Sequence, residues 1–523
     1  MPRDAGHTVY APNGMVCSVD HLASAAGVGI LQAGGNAADA ALATSAVLAV
    51  TTQHMCGMGG DLFALVHHES SPPDALVAAG RAGSGADAAA LRAEGLATMP
   101  FRRDVRSATV PGCVDGWVAL HERHGRLPLA DVLEPARGYA EDGFPASPLL
   151  ALANLLIDDV AGADDFLTER GLRTADRVRR PLVADTLAAI ARDGRDAFYR
   201  GAFGDGLLAL GNGLFTADDL ARPQAEWAEP LSVRAWGHDL WTVPPPSQGY
   251  LALAAARVAA TLDVPGDPGN PQWVHLLSEA SRATGHDRID VLFDGADGRA
   301  LLAEHRLAAQ RALIDPARRG PLAAPAGGGD TIYLCTVDRD GMGVSLIQSN
   351  AADWGCHLVV PGTRIFLHNR GIGFRLEPGH PAELAPGRRP PHTLSPTLVT
   401  RPDGSLAALV GTMGGDTQPQ IVLQITARLL HAGQSPGRAV GAPRWALGTG
   451  GFDTWESGGP QATSLESDAP DAWERDLTDR GHRVVRADPG ANLGHAHAIV
   501  VGDGGMLAGA SDPRALTGAA HGY

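Results

Sequence analysis

The chain has no lysine; all 42 of its basic residues are arginine. A Schiff-base mechanism and a P-loop both need that amine, so two large enzyme classes fall away at once. Cysteine is scarce too. Cys17, Cys56, Cys113, Cys335 and Cys356 stand far apart, with no C-x-x-C pair or Cys/His cluster, so neither a disulfide framework nor a bound metal is expected. Long apolar runs are missing as well. The most apolar stretch, Ala37 to Val50, contains Asp39 and is too short to cross a bilayer, so it reads as a buried helix. Met1 to Gly14 lacks a basic region followed by an apolar core, so no signal peptide is read there. A net charge of −16 argues against nucleic acid and anionic membranes as partners. A soluble, cytoplasmic protein without a cofactor is expected.

What the chain does have is a glycine-rich approach to a threonine. A Pro/Gly-rich run from Asp315 ends at Gly327-Gly328-Gly329-Asp330, and Thr331 opens a β pattern, Ile332 to Val337. Arg339-Asp340-Gly341-Met342 turns the chain, and Gly343 to Ser349 returns as a second strand. If the bond before Thr331 were cut, Thr331 would carry a nucleophilic hydroxyl and a free α-amine of pKa about 8, a base for its own hydroxyl.

Around this hairpin, helical patterns cover His21 to Leu31, Val114 to His124, Leu129 to Gly143, Leu149 to Leu156, Val183 to Asp193 and the charged stretch Arg299 to Arg318. Strands are expected at Leu62 to His67, Ala75 to Ala79, Thr363 to Leu367, Ser395 to Thr400 and Ala407 to Thr412. Arg81, just past a strand, suits a carboxylate fork. Met413-Gly414-Gly415-Asp416 opens a helix, where exposed amides can bind an anion or a developing oxyanion. His54 reads as packed, and the His286-Asp287-Arg288 cluster as a helix surface or subunit contact. His495 and His497 share one face of a strand without further ligands.

Several short blocks, taken in order, resemble the γ-glutamyltranspeptidase family. They are Gly34-Gly35-Asn36-Ala37-Ala38-Asp39-Ala40, Gly57-Met58-Gly59-Gly60-Asp61, Thr109-Val110-Pro111-Gly112, Pro244-Pro245-Pro246-Ser247-Gln248-Gly249, Asp330-Thr331, Leu394-Ser395-Pro396-Thr397, Gly414-Gly415 and Gly509-Ala510-Ser511-Asp512-Pro513-Arg514. The resemblance implies an α/β fold, the four-layer αββα sandwich of N-terminal-nucleophile hydrolases. It implies self-cleavage between Asp330 and Thr331 into a large segment, 1–330, and a small one, 331–523, that stay together as one interdigitated fold, with a homodimer left open. By position Thr331 is then the nucleophile, Ser349 its support, Gly414 and Gly415 the oxyanion site, and Arg81 the carboxylate clamp.

The departures from the family point to a changed substrate. Where the family holds a substrate α-amino group, the stretch His368-Asn369-Arg370-Gly371-Ile372-Gly373 places Arg370 and Gly373, which repel an ammonium or offer it nothing. A family asparagine aligns with Ala351, with Asn350 beside it, and the family's Ser-Ser pair reads His392-Thr393. The expected activity is cleavage of an amide bond in a small carboxylate-bearing substrate through an acyl-enzyme, with Arg81, Arg370, Asn350, His392 and Thr393 binding the substrate. Two alternatives accompany it: a biosynthetic homologue cleaving a carbon–carbon bond of a pyrroline intermediate, and an uncleaved binding homologue.

Overall fold

The computed structural model describes residues 7–70, 72–321, 331–448, 462–488 and 493–523. Asp330, the residue before the expected cut, lies outside them. Two seven-stranded sheets, antiparallel at every pairing, stack face to face. One runs, edge to edge, Ala519–Gly522, Met15–Ser18, Ile332–Val337, Gly343–Ser349, Asp61–His67, Asp74–Ala78 and Ala225–Ala228. The other runs Val9–Ala11, Leu507–Ser511, Ala496–Val501, Leu406–Thr412, Thr397–Thr400, His238–Thr242 and Leu231–Ala235. Both sheets mix strands from before and after position 331.

The period of two along each strand explains the four layers. In Ile332–Val337, Tyr333, Cys335 and Val337 face the other sheet and pack with Phe63, Leu65, Leu398 and Leu409. Ile332 and Leu334 face the opposite way, into a core shared with the helices His21–Gln32 and Ala37–Thr51. The second sheet does the same against Tyr250–Ala259, Pro271–Gly285 and Gln418–Leu430. A strand buried on both faces reads as continuously apolar, which is why these segments look alike in sequence.

Helix Ala37–Thr51 is buried along its whole length. Its start is fixed by a reciprocal cap: the Asn36 carboxamide oxygen accepts from the amides of Ala38 and Asp39, and the Asp39 carboxylate accepts from the Asn36 amide. Asp338, in the turn of the Thr331 hairpin, accepts from the Ala37 amide at 2.9 Å. The Gly34–Ala40 block therefore ties the central helix to that hairpin.

Two expectations are corrected here. The stretch Arg299 to Arg318 is broken into the short helices Gly298–Leu301 and Glu304–Arg311, because the chain turns extended at Ala303 (ψ 137°), which starts the second helix afresh. The strand expected over Thr363 to Leu367 shrinks to Ile365–Phe366, paired only with Val359–Val360. Among the described residues, no helix is long and apolar enough to cross a membrane.

Candidate active site

Register places three residues in a row at one end of the first sheet. Ser349 pairs with Asp61 across one edge of its strand, and Thr331 lies one residue before the Ile332–Gln348 pair across the other. By parity with Tyr333, Ile347 and Phe63, all three side chains face the interior of the sandwich. Thr331, Ser349 and Asp61 are fully buried.

The Thr331 hydroxyl donates to Ser349 Oγ at 3.0 Å. That oxygen also accepts from the Ala351 amide at 2.7 Å and from Arg370 Nη2 at 3.3 Å. Arg370 Nη1 donates to Thr393 Oγ1 at 2.9 Å. The Thr393 carbonyl accepts from Gln248 Nε2 at 3.1 Å, and the same nitrogen donates to the Gly415 carbonyl at 2.8 Å. One hydrogen-bonded run thus joins Thr331, Ser349, Arg370, Thr393 and the glycine pair. Gly414 has φ +131° and Gly415 φ +52°, conformations that suit glycine, and they lead into Gln418–Leu430. Amides at such a helix start have no acceptor inside the helix.

Arg370 is buried, and its Nε has no hydrogen-bond partner among the described residues. Burial lowers the guanidinium to about 10, against the opposing pull of Asp61 and Asp416. Asp61 Oδ1 accepts from the amides of Gly80 and Gly112, both at 3.0 Å, and Oδ2 faces His392 Nε2 at 3.1 Å and His368 Nδ1 at 3.4 Å. Burial pushes the Asp61 carboxyl up, but the two histidines reverse this and hold it well below the usual range. His392 Nδ1 accepts from the Leu394 amide, so Nε2 carries the proton that goes to Asp61. His392 therefore braces Asp61 rather than reaching towards Ser349.

The remaining expected residues have other partners. Asn350 Nδ2 donates to the Gln53 carbonyl at 2.8 Å and clamps a loop. The Arg81 guanidinium faces Glu226 at 3.4 Å, Asp294 at 3.8 Å and the Gly387 carbonyl at 3.3 Å. In the His286-Asp287-Arg288 cluster His286 is exposed and Asp287 half-buried, as a helix surface requires, but Arg288 departs from that expectation. Arg288 is buried, and its Nη2 lies 3.0 Å from Asp416 Oδ1, directly after the glycine pair. Arg288, Asp416, Asp61 and Gln248 were not read as site residues. The only sequence signal was that Asp61, Gln248 and Asp416 lie in or beside glycine-bearing blocks.

A model of the Gamma-glutamyltranspeptidase family matches residues 23–522. The chain belongs to this family. It is 37% identical to the glutathione hydrolase-like YwrD proenzyme of Bacillus subtilis over 97% of its own length and 98% of that protein's. It is also 37% identical to the oxamate amidohydrolase proenzyme of Klebsiella pneumoniae, over 98% of each chain. A solved structure described as cephalosporin acylase from Bacillus halodurans superposes with a TM-score of 0.89 at 32% identity, over 99% of this chain and 97% of that one. The protein is accordingly an enzyme with the αββα fold of the γ-glutamyltranspeptidase-type N-terminal-nucleophile hydrolases.

The departures from the γ-glutamyltranspeptidase pattern have a physical basis. A Cβ on Gly373 would lie 2.5 Å from the Pro391 carbonyl oxygen and 3.2 Å from Pro390 Cβ, so an aspartate cannot occupy that place without moving the loop. Ala351 sits at φ +75°, where Asn is better tolerated, yet the turn persists because the Ala351 amide is held by Ser349.

Buried histidines give the fold a pH dependence. Burial lowers His54, His357 and His495 to about 4, and His392, His482 and His497 to about 3. Each folded value lies below the unfolded one of about 6.5, so the stabilisation is present above that pH and is lost as pH falls towards the folded values. Urea unfolding should therefore show stability falling between pH 7 and pH 5, by up to about 2 kcal/mol for each histidine whose ring stays neutral when folded. An unchanged midpoint over that range would show that these rings do not stay neutral.

Proposed function

We propose that the protein is a self-processing amidohydrolase with Thr331 as its nucleophile. Cleavage between Asp330 and Thr331 frees an α-amine of pKa about 8, which takes the proton of its own hydroxyl. The hydroxyl attacks an amide carbonyl, and the Gly414 and Gly415 amides stabilise the resulting oxyanion; its collapse breaks the C–N bond, the departing nitrogen takes the proton held by the α-amine, and water or an amine then discharges the acyl-enzyme. The segments 1–330 and 331–523 then stay together as large and small subunits.

The substrate is a short amide whose carboxylate lies close to the scissile carbonyl. The observation carrying this reading is the run Thr331–Ser349–Arg370, which sets a buried guanidinium two hydrogen bonds from the nucleophile. A γ-glutamyl group carries its charges at the far end of its chain from the scissile carbonyl. Oxamate joins its carboxylate directly to the amide carbonyl, and the name of the Klebsiella relative agrees with that chemistry.

The test is release of ammonia from monoamides of short dicarboxylic acids, oxamate first, beside aniline release from a γ-glutamyl anilide. The short monoamides should be the faster substrates by kcat/KM. Faster turnover of the γ-glutamyl compound would overturn the substrate assignment.

A further inference from the structure

We infer that Arg288 is a positioning residue for the Gly414–Gly415 turn, neutralising Asp416 so that no buried negative charge opposes the one developing at those amides. The inference rests on reading the glycine pair as the oxyanion site. Asp416 is the middle residue of the turn Gly415–Thr417, and its carboxylate is buried. Arg288, brought in by the short helix Arg288–Val291 that follows Pro271–Gly285, meets it at 3.0 Å.

The rest of the turn is held by neutral groups. Gln248 Nε2 holds the Gly415 carbonyl at 2.8 Å, and Thr417 Oγ1 donates to the Gly414 carbonyl at 2.7 Å. Neither carbonyl can swing round to replace an amide, so these contacts fix geometry. Asp416 is the acidic side chain that the turn itself carries. A carboxylate there would weaken an adjacent anion in a medium of low dielectric, where charges act strongly over several ångströms. Arg370 also bears on Asp416, more weakly than Arg288 does.

The proposal predicts a rescue. In Arg288→Met, kcat for the amide substrate should fall about tenfold or more, in the manner of a damaged oxyanion site. KM should change less than about threefold, because the loss is felt mainly in the transition state. Arg288→Met/Asp416→Asn should recover most of the kcat, since the opposing charge is then gone. Intact mass, showing the two fragments of a processed chain, checks folding for each variant. A processed, active wild type whose double variant is no faster than Arg288→Met overturns this proposal and leaves the reading of the site standing. A wild type that is uncut and inactive overturns both.

Discussion

Thr331→Ala should yield a single intact chain of 54.1 kDa, where the unaltered protein separates on denaturation into two fragments meeting at the Asp330–Thr331 bond. Intact mass spectrometry reads this directly. On the proposed mechanism one oxygen serves twice: the Thr331 hydroxyl attacks the preceding carbonyl in the uncut chain and the substrate in the cut chain. Its acceptor, Ser349 Oγ, is already held by the Ala351 amide and Arg370, so the hydroxyl is oriented by neighbours that alanine cannot use. Amidase activity should fall at least about a thousandfold, the scale seen when a nucleophile is removed and only binding and oxyanion stabilisation remain. Thr331→Ser keeps the hydroxyl and should process more slowly rather than not at all. A Thr331→Ala chain that still splits at this bond would remove Thr331 from both roles.

The second large effect is expected at Arg370. Arg370→Met roughly preserves the volume of the side chain and removes its charge, so kcat/KM for a carboxylate-bearing amide should drop about a hundredfold or more, corresponding to the 2–5 kcal/mol lost when one member of a buried charge pair is deleted. The loss should fall mainly on KM, because the carboxylate is held alike in ground state and transition state. A neutral amide of the same size should suffer much less. Arg370→Lys keeps the charge but cannot fork a carboxylate while still reaching Thr393 and Ser349, so it should recover only part of the activity. Appearance of the two fragments is the folding control, needed because Asp61 and Asp416 lose part of their compensation in the methionine variant. Equal kcat/KM in wild type and Arg370→Met would end the assignment of Arg370 to the substrate anion.

Much of this is legible in the sequence. The Thr331 hairpin, the buried helix after Asn36 and the glycine pair before Gln418 carry strong local signals of turn chemistry, capping and period. What escaped was contact between distant parts of the chain. Arg288 meets Asp416 across a long stretch of sequence, and nothing near Arg288 marks it as buried. The family resemblance implies a substrate contact for His392, but the fold sets its ring against Asp61. Arg81 looked available because Glu226 and Asp294 reach it only in the folded state. Local pattern reports which side chains exist at a turn or strand end. It does not report which counter-charge the fold delivers there.

Mixing early and late strands in each sheet has a consequence for assembly. Ile332–Val337 is clasped between Met15–Ser18 and Gly343–Ser349, and the last strand, Ala519–Gly522, closes the edge on Met15–Ser18. A cut before Thr331 therefore makes two polypeptides but not two bodies. Neither piece owns a complete sheet, and each leaves the other with open edges and uncovered apolar faces. The pieces are born in one folding event and can part only by unfolding, so their lifetime together is set by an unfolding barrier and not by a dissociation constant.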